Sequence, residues 1–120
     1  MDSTALLTQL CRMIIPEVLL EHFDIVNIEE KKEEWQVTLH EKPDHIPKDL
    51  QGKETSMDGF LNPVELFTFP QKDKRLYLKV YRRRWKEKGS STASHNTYDL
   101  YEPGAKVTKE FGAFLKELGR

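Results

Sequence analysis

The residues with the clearest chemical potential lie in one stretch, RLYLKVYRRRWKEK, which spans residues 75–88. Its side chains alternate between apolar and polar, which is typical of a β-strand with one face against a core. One predicted face carries Leu76, Leu78 and Val80, and Arg82 and Arg84 follow near its end. The opposite predicted face interleaves aromatic rings with cations and holds no aliphatic side chain: Arg75, Tyr77, Lys79, Tyr81, Arg83 and Trp85.

A strand face of this kind contains the groups that bind nucleic acid. Cations neutralise phosphates, an arginine fork reaches guanine edges, and aromatic rings pack on sugars or unpaired bases. A two-stranded ribbon also fits the major groove of DNA. The hypothesis is that the chain binds DNA, and the predicted contact residues are Lys79, Arg82, Arg83, Arg84, Trp85, Lys86, Lys88, Lys106 and Lys109.

Lys106 and Lys109 are included because they lie at the start of the last predicted helix. Free backbone N–H groups at a helix N-terminus attract phosphate. Two purely structural alternatives stay open for the aromatic face. Its rings and cations are also compatible with a cation–π ladder that only solubilises the sheet, or with rings that a helix covers.

The distribution of charge along the chain supports a polyanionic partner. The net charge is −1, but residues 1–60 contain 6 Lys and Arg against 13 Asp and Glu, a net charge of −7. Residues 61–120 contain 13 Lys and Arg against 7 Asp and Glu, a net charge of +6. Such asymmetry indicates a polyanion for the basic half, or an electrostatic contact between the halves or between copies.

Other chemistries find little support in the sequence. Cys11 is the only cysteine, which excludes a disulfide framework and a cysteine-based zinc site. The four histidines lack the paired spacing of metal ligands, and the sequence has no nucleophile elbow or glycine-rich phosphate loop. We therefore expect a non-catalytic protein without a cofactor or a metal ion.

Length and hydropathy bound the class of protein. The 120 residues suit a single domain, 1–120. The longest apolar run is broken by Arg12 and Pro16, so it is too short to span a bilayer, and the N-terminus lacks the features of a signal peptide. The expectation is a protein with no membrane association that works in the cytoplasm.

Periodicity predicts an α+β fold, with an antiparallel sheet of about five strands, two N-terminal helices and one C-terminal helix. The predicted helices are residues 3–14, residues 16–22 and a helix from 107 to 118 that Gly119 caps. The predicted strands are residues 23–28, 35–40, 64–69, 75–85 and 96–101. The first two form a hairpin with a charged tip, and Pro103 and Gly104 form a turn after the last strand.

The predicted elements divide the chain into two halves of different character. Residues 1–62 form an acidic helix–helix–hairpin–loop half, in which residues 41–62 are a long loop. Residues 63–120 form a basic strand–hairpin–strand–helix half, with a polar loop at residues 86–95.

The chain resembles a known family, and the resemblance covers essentially the whole chain. Four stretches carry it: LLTQLCRMIIPEVLLEHFDI, KDLQGKETSMDGFLNPVELFTFPQK, RLYLKVYRRRWKEK and TKEFGAFLKELGR. In these stretches the chain resembles the short upstream reading frame, or N-terminal region, of certain bacterial insertion-sequence transposases. The resemblance implies a non-catalytic module that recognises transposon-end DNA for a separately encoded catalytic subunit. That subunit would cut DNA with a carboxylate triad and a divalent metal.

The resemblance extends to zinc-ribbon-type domains of related transposases, which place cysteines around an Arg-rich strand. This sequence has no cysteine there. A shared architecture would therefore imply that side-chain packing replaces the metal, and the residues concerned are Trp85, Tyr98, Tyr101 and Phe111.

The alternative function is that of a protein-interaction subunit. In that case the acidic half docks the catalytic partner or a second copy, to form a homodimer, and the basic half only balances charge. The two functions differ in their response to salt, because phosphate contacts weaken steeply with ionic strength and apolar contacts do not. An enzyme is the least supported class, since no acid, base and nucleophile can be placed together.

Overall fold

The computed structural model describes residues 3–100 and 106–119, and it shows an α+β fold. The helices are α1 (Ser3–Ile14), α2 (Glu17–His22) and α3 (Lys109–Leu118), and Lys48–Leu50 form a short 3-10 turn. The strands are β1 (Phe23–Glu30), β2 (Glu34–Glu41), β3 (Thr55–Phe60), β4 (Val64–Gln71), β5 (Lys74–Tyr81), β6 (Arg83–Glu87) and β7 (Ala93–Ser94). The α+β class, the two N-terminal helices and the C-terminal helix are thus confirmed.

The strands form two sheets where the sequence predicted one. Sheet A has four strands in the order β1-β2-β5-β4, and sheet B has three in the order β3-β6-β7. Every pairing is antiparallel except that of β2 with β5, which run parallel in the centre of sheet A. Each sheet therefore combines strands from both halves of the sequence, and the acidic and basic halves are interleaved in space.

The predicted loops 41–62 and 86–95 and the predicted strand 96–101 differ from the structure, and the second of these loops contains the end of β6 and all of β7. Residues 41–62, predicted as a loop, contain β3, which periodicity missed because its bulge places Gly59 at a φ of 74°. Residues 96–100, predicted as strand, form none, and side-chain hydrogen bonds hold them instead. Tyr101 and the predicted turn at Pro103 and Gly104 lie outside the described residues.

The core lies on one face of sheet A, called here the inner face. Its buried side chains are Val37, Leu39, Leu66, Leu76, Leu78 and Val80. Ile15, Leu19, Phe23 and Leu100 complete the cluster from the helical side. The predicted core face of residues 76–80 is therefore confirmed. Each fully buried aliphatic side chain stabilises the fold by roughly 1.5–3 kcal/mol relative to exposure.

Residues 106–108 attach α3 to the free edge of β4. The Phe67 N–H donates to the Lys106 carbonyl at 2.9 Å, and the Thr108 N–H donates to the Phe67 carbonyl at 2.8 Å. The Thr108 side chain is the N-cap of α3, because its hydroxyl accepts a hydrogen bond from the Phe111 N–H at 3.3 Å. Phe69 of β4 then packs against Phe111, with 5.0 Å between ring centroids.

The predicted strand 75–85 is divided at Arg82, where the chain passes from sheet A to sheet B. Tyr81 ends β5, Arg83 begins β6, and the Arg82 carbonyl accepts a hydrogen bond from the Leu61 N–H at 2.9 Å. The crossing reverses the alternation of faces. Trp85, predicted on the exposed cationic face, is only 6% exposed, so that prediction was wrong.

The carboxylate of Glu41 joins the two sheets at this crossing. Glu41 ends β2 and is 0% exposed. Its Oε1 accepts a hydrogen bond from the Arg83 backbone N–H at 2.8 Å, and its main-chain carbonyl accepts one from Arg83 Nε at 2.6 Å. Its Oε2 accepts hydrogen bonds from Asn96 Nδ2, at 2.9 Å, and from the Tyr98 hydroxyl. We call Glu41, Arg83, Asn96 and Tyr98 the Glu41 clasp.

Tyr98 remains a hydrogen-bond donor to Glu41 over the physiological pH range. Burial, followed by the hydrogen bond to Glu41, raises the pKa of Tyr98 above its ordinary value of 10.0. The ring also packs against Phe23, with 5.2 Å between centroids. Tyr98 therefore links the clasp to the apolar core.

Removal of the Tyr98 hydroxyl tests the clasp. We expect Tyr98→Phe to lower the free energy of unfolding by roughly 1.5–3 kcal/mol, the range for a hydrogen bond to a charged group. Urea unfolding followed by tryptophan fluorescence measures this change. Tyr77→Phe is the matched control, because the Tyr77 hydroxyl makes no hydrogen bond within residues 3–100 and 106–119. Equal stability of the two variants would contradict the role of the clasp.

Candidate nucleic-acid interface

The structure distributes the nine predicted contact residues over four places. Lys79 and Lys106 lie together beside β4, and Arg82 and Arg83 lie at the crossing between the sheets. Strand β6 of sheet B carries Arg84, Lys86 and the buried Trp85, and Lys88 follows directly after this strand. Lys109 begins α3. The nine residues therefore do not form one continuous surface.

The cations of sheet B are paired with acidic residues of β3 and the segment before it. Arg84 and Lys86 both contact the Asp58 carboxylate, at 3.4 and 3.2 Å. Lys88 lies 3.6 Å from the carboxylate of Glu54. Exposed pairs of this kind add little stability, but each carboxylate cancels charge that would otherwise attract phosphate. Ion pairs between the two halves of the sequence thus partly neutralise their opposite net charges.

The two arginines at the crossing lie among residues of the fold itself, Arg83 in contact with Glu41 and Phe60 and Arg82 beside Tyr98. Besides its bonds to Glu41, Arg83 places its guanidinium 5.0 Å from the centroid of the Phe60 ring. Arg82 lines a cleft of about 220 Å³ with Tyr98, and its buried Nε has no hydrogen-bond partner among residues 3–100 and 106–119. A guanidinium that holds two sheets together is less available to bind a base than one at the end of a free side chain.

Lys109 is also paired, and the start of α3 is occupied. Its Nζ lies 2.6 Å from the carboxylate of Asp99. The Phe111 N–H already donates to the Thr108 side chain, and Glu110 adds a negative charge to the first turn. These groups compete with the phosphate that the sequence predicted at this helix end.

The outer face of sheet A, opposite the core, is partly exposed to solvent, and α3 covers it at Phe69. On β5 it carries Tyr77, Lys79 and Tyr81, all of which are half-buried while the inner-face residues between them are buried. Their register partners on β2 are the polar residues Gln36, Thr38 and His40. Their register partners on β4 include Phe67 and Glu65. The aromatic–cationic alternation that the sequence predicted exists here as far as Tyr81.

A cleft of about 540 Å³ opens at the β4 side of this face, and its lining brings Lys79 and Lys106 together. Pro63, Glu65, Phe67, Tyr77 and Val107 complete the lining. The rings of Phe67 and Tyr77 lie 4.5 Å apart between centroids and are tilted by 56°. Of the residues that the structure describes, none forms an ion pair with Lys79 or Lys106.

A second aromatic group lies at the other end of the outer face, where it meets sheet B. His40 lies 5.1 Å from Tyr81 and 4.6 Å from Phe60 between ring centroids. Lys79 extends toward this group, with its Nζ 5.9 Å from the centroid of Tyr81. Burial, with a smaller contribution from the Arg83 charge, lowers the pKa of His40 below 6.5. His40 is therefore a neutral ring at neutral pH.

The residues that sequence reasoning missed come from neighbouring strands. Phe67 follows from the alternation of residues 64–69, which places it opposite the buried Leu66 and Thr68. Phe60 carried no such signal, because β3 is bulged beside it. His40 ends the predicted strand 35–40 without a predicted role in binding, and in the structure it packs against two aromatic rings.

No three His, Cys, Asp or Glu side chains of residues 3–100 and 106–119 are grouped so as to hold a metal ion. Within the same residues, no helix has the length and apolarity that crossing a membrane requires.

Neither a protein-family model, nor a curated protein, nor a solved structure matches the chain. The transposase resemblance therefore stays a prediction.

The pKa of His40 leads to a dependence of stability on pH. The folded state holds this pKa below 6.5, so the unfolded chain takes up the proton first as the pH falls. The free energy of unfolding is therefore expected to decrease on acidification through pH 6.5. Urea midpoints at about pH 7.5 and 5.5 measure the decrease, and His40→Gln should make it smaller.

His95→Gln is the matched control, since this histidine is exposed. The control variant should keep the wild-type difference between the two midpoints. An identical difference in the wild type, His40→Gln and His95→Gln proteins would show that His40 does not couple folding to protonation.

Proposed function

We propose that the chain is a non-catalytic DNA-binding module whose contact surface is the outer face of sheet A. The observation that carries the proposal is the cleft in which Lys79 and Lys106, 27 positions apart in the sequence, lie beside the rings of Phe67 and Tyr77. Two cations that form no ion pair with a described residue supply phosphate contacts, and the rings supply stacking surfaces.

The electrostatics of the described residues favour this surface over the Arg-rich segment of sheet B. Lys86 shares Asp58 with Arg84, and Lys88 faces Glu54, so these cations carry their counter-charges with them. Binding of phosphate there requires a carboxylate to be displaced or left close to the phosphate. Lys79 and Lys106 form no ion pair with a described residue, and the one carboxylate in the lining of their cleft is that of Glu65, opposite Lys79 in the β4–β5 register.

The proposal includes a biological role for the module. We infer that it recognises transposon-end DNA in the cytoplasm for a separately encoded catalytic transposase subunit. The four sequence stretches that resemble insertion-sequence transposases support this role. The surface of sheet A supports only its DNA-binding component.

Fluorescence anisotropy tests this function. The probes are a labelled duplex from the ends of the proposed insertion sequence and a scrambled duplex. Tight binding that prefers the end sequence and weakens from about 50 to 200 mM salt is the expected result. Absence of binding to either duplex and to single strands at low salt would remove DNA binding from the function of the isolated chain.

Lysine substitutions locate the contact surface. In Lys79→Ala and Lys106→Ala we expect weaker binding to every sequence, and a decrease of about 1 per lysine in the slope of log affinity against log salt. The matched control is the double variant Lys86→Ala/Lys88→Ala, whose cations are paired. A larger loss in the control than in the sheet A variants would move the interface to sheet B.

A specific observation favours protein interaction as the second candidate function. The apolar side of α1 faces solvent, with Leu6, Leu10 and Met13 exposed by 50, 53 and 80%. Among the side chains described for Ser3–Ile15, only Ile15 belongs to the buried core. Exposed apolar groups of this size on one helix are typical of a protein contact.

Substitution on α1 separates the two candidate functions. If the chain self-associates through α1, sedimentation velocity should show a homodimer that Leu10→Glu/Met13→Glu converts to a monomer. The same variant should bind DNA with unchanged affinity, because α1 does not line the cleft. A monomeric wild-type chain would exclude self-association, and loss of DNA binding in the variant would contradict the separation of the two surfaces.

A further inference from the structure

We infer that the outer face of sheet A binds single-stranded DNA in preference to duplex, with bases stacked on the Phe67–Tyr77 pair and on Tyr81. The inference rests on the proposed function, because it specifies which form of DNA the same surface takes. It is carried by the position of the rings, their spacing and the width of the sheet.

The rings of this face are placed to contact the flat side of a base. Phe67 and Tyr77 line the open cleft rather than the core, and Tyr81 is half-buried on the same face. Bases in a duplex cover one another's faces, whereas an unpaired base can stack on an aromatic side chain. Aromatic rings on an open sheet therefore favour unpaired bases.

The spacing along β5 matches a chain in which bases and phosphates alternate. Tyr77 and Tyr81 are four residues apart on one face of a strand, which corresponds to about 13 Å at the rise of a β-strand. Lys79 lies midway between them on the same face. A strand of nucleic acid laid along β5 would thus meet a ring, a cation and a second ring in order.

The position of β5 argues against the major groove. β5 lies between β2 and β4 in a four-stranded sheet, so its outer-face residues are not on an isolated ribbon. Four strands about 4.8 Å apart extend over roughly 14 Å between the outer backbones, whereas the major groove is about 12 Å wide. The β-ribbon insertion that the sequence suggested does not fit this sheet.

The number of cations on the outer face of sheet A also suits a single strand of DNA. Lys79 and Lys106 line the cleft, and Arg75 is exposed at the start of the β5 face. Among the β2 neighbours, Gln36 and Thr38 add neutral hydrogen-bonding groups, and Glu34 lies opposite Arg75. Such a face offers a short row of phosphate contacts rather than two rows that follow both strands of a duplex.

The test compares two labelled probes with the full chain by fluorescence anisotropy: a 12-nucleotide oligo-dT and a 12-base-pair duplex of mixed sequence. The expected result is at least tenfold tighter binding of oligo-dT. Tyr77→Leu keeps apolar bulk beside Phe67 but removes the ring, and it should weaken oligo-dT binding roughly fivefold or more. Tyr77→Phe keeps the ring and should bind like the wild type.

The outcomes separate the inference from the proposed function. Duplex binding that equals or exceeds oligo-dT binding would overturn the single-strand inference and leave the DNA-binding function intact. Binding of neither probe at low salt would overturn both. Equal oligo-dT affinity of Tyr77→Leu and Tyr77→Phe, with both variants folded by urea titration, would overturn the stacking site.

Discussion

The buried carboxylate of Glu41 is the constraint on which the arrangement of the two sheets depends. A carboxylate removed from water must accept hydrogen bonds, because an unsatisfied buried polar group costs about 1–3 kcal/mol and a charged one costs more. The donors come from the Arg83 backbone, Asn96 and Tyr98, which lie 42, 55 and 57 positions away in the sequence. Satisfying one carboxylate therefore brings the end of β2, the start of β6 and the segment after β7 together.

The same constraint decides which basic residues face solvent without a counter-charge. Because the chain leaves sheet A at Arg82, the residues after it pair with β3 and meet its acidic groups, Asp58 among them. Lys79 precedes the crossing and stays on the outer face of sheet A. There the attachment of residues 106–108 to β4 brings Lys106 beside it. The Arg-rich segment is thus an internal electrostatic contact more than an open basic surface.

Two surfaces of different chemistry remain on the described part of the chain. One is the polar and aromatic outer face of sheet A, with its cleft between β4, β5 and the segment before α3. The other is the apolar side of α1, represented by Leu10 and Met13. A module that holds nucleic acid on one side and a protein on the other needs these two kinds of surface. Their separation makes each surface accessible to substitution on its own.

The sequence by itself determined the features that depend on local periodicity. The core face Leu76, Leu78 and Val80 follows from side-chain alternation, and the C-terminal helix that Gly119 caps follows from apolar periodicity, both of which act over a few residues. The aromatic–cationic face could be predicted for the same reason, but only as far as Tyr81.

Tertiary structure alone decided the change of sheet at Arg82 and the contacts between distant parts of the sequence. Trp85 is buried rather than on the predicted aromatic–cationic face, because the alternation of side chains restarts where the chain changes sheets at Arg82. No local sequence pattern marks that point. The parallel pairing of β2 with β5, the neighbourhood of Lys79 and Lys106, and the clasp around Glu41 join residues that are 27 to 57 positions apart. Such contacts are selected by the burial of the whole core and by the pairing of buried charge, which composition and spacing do not contain.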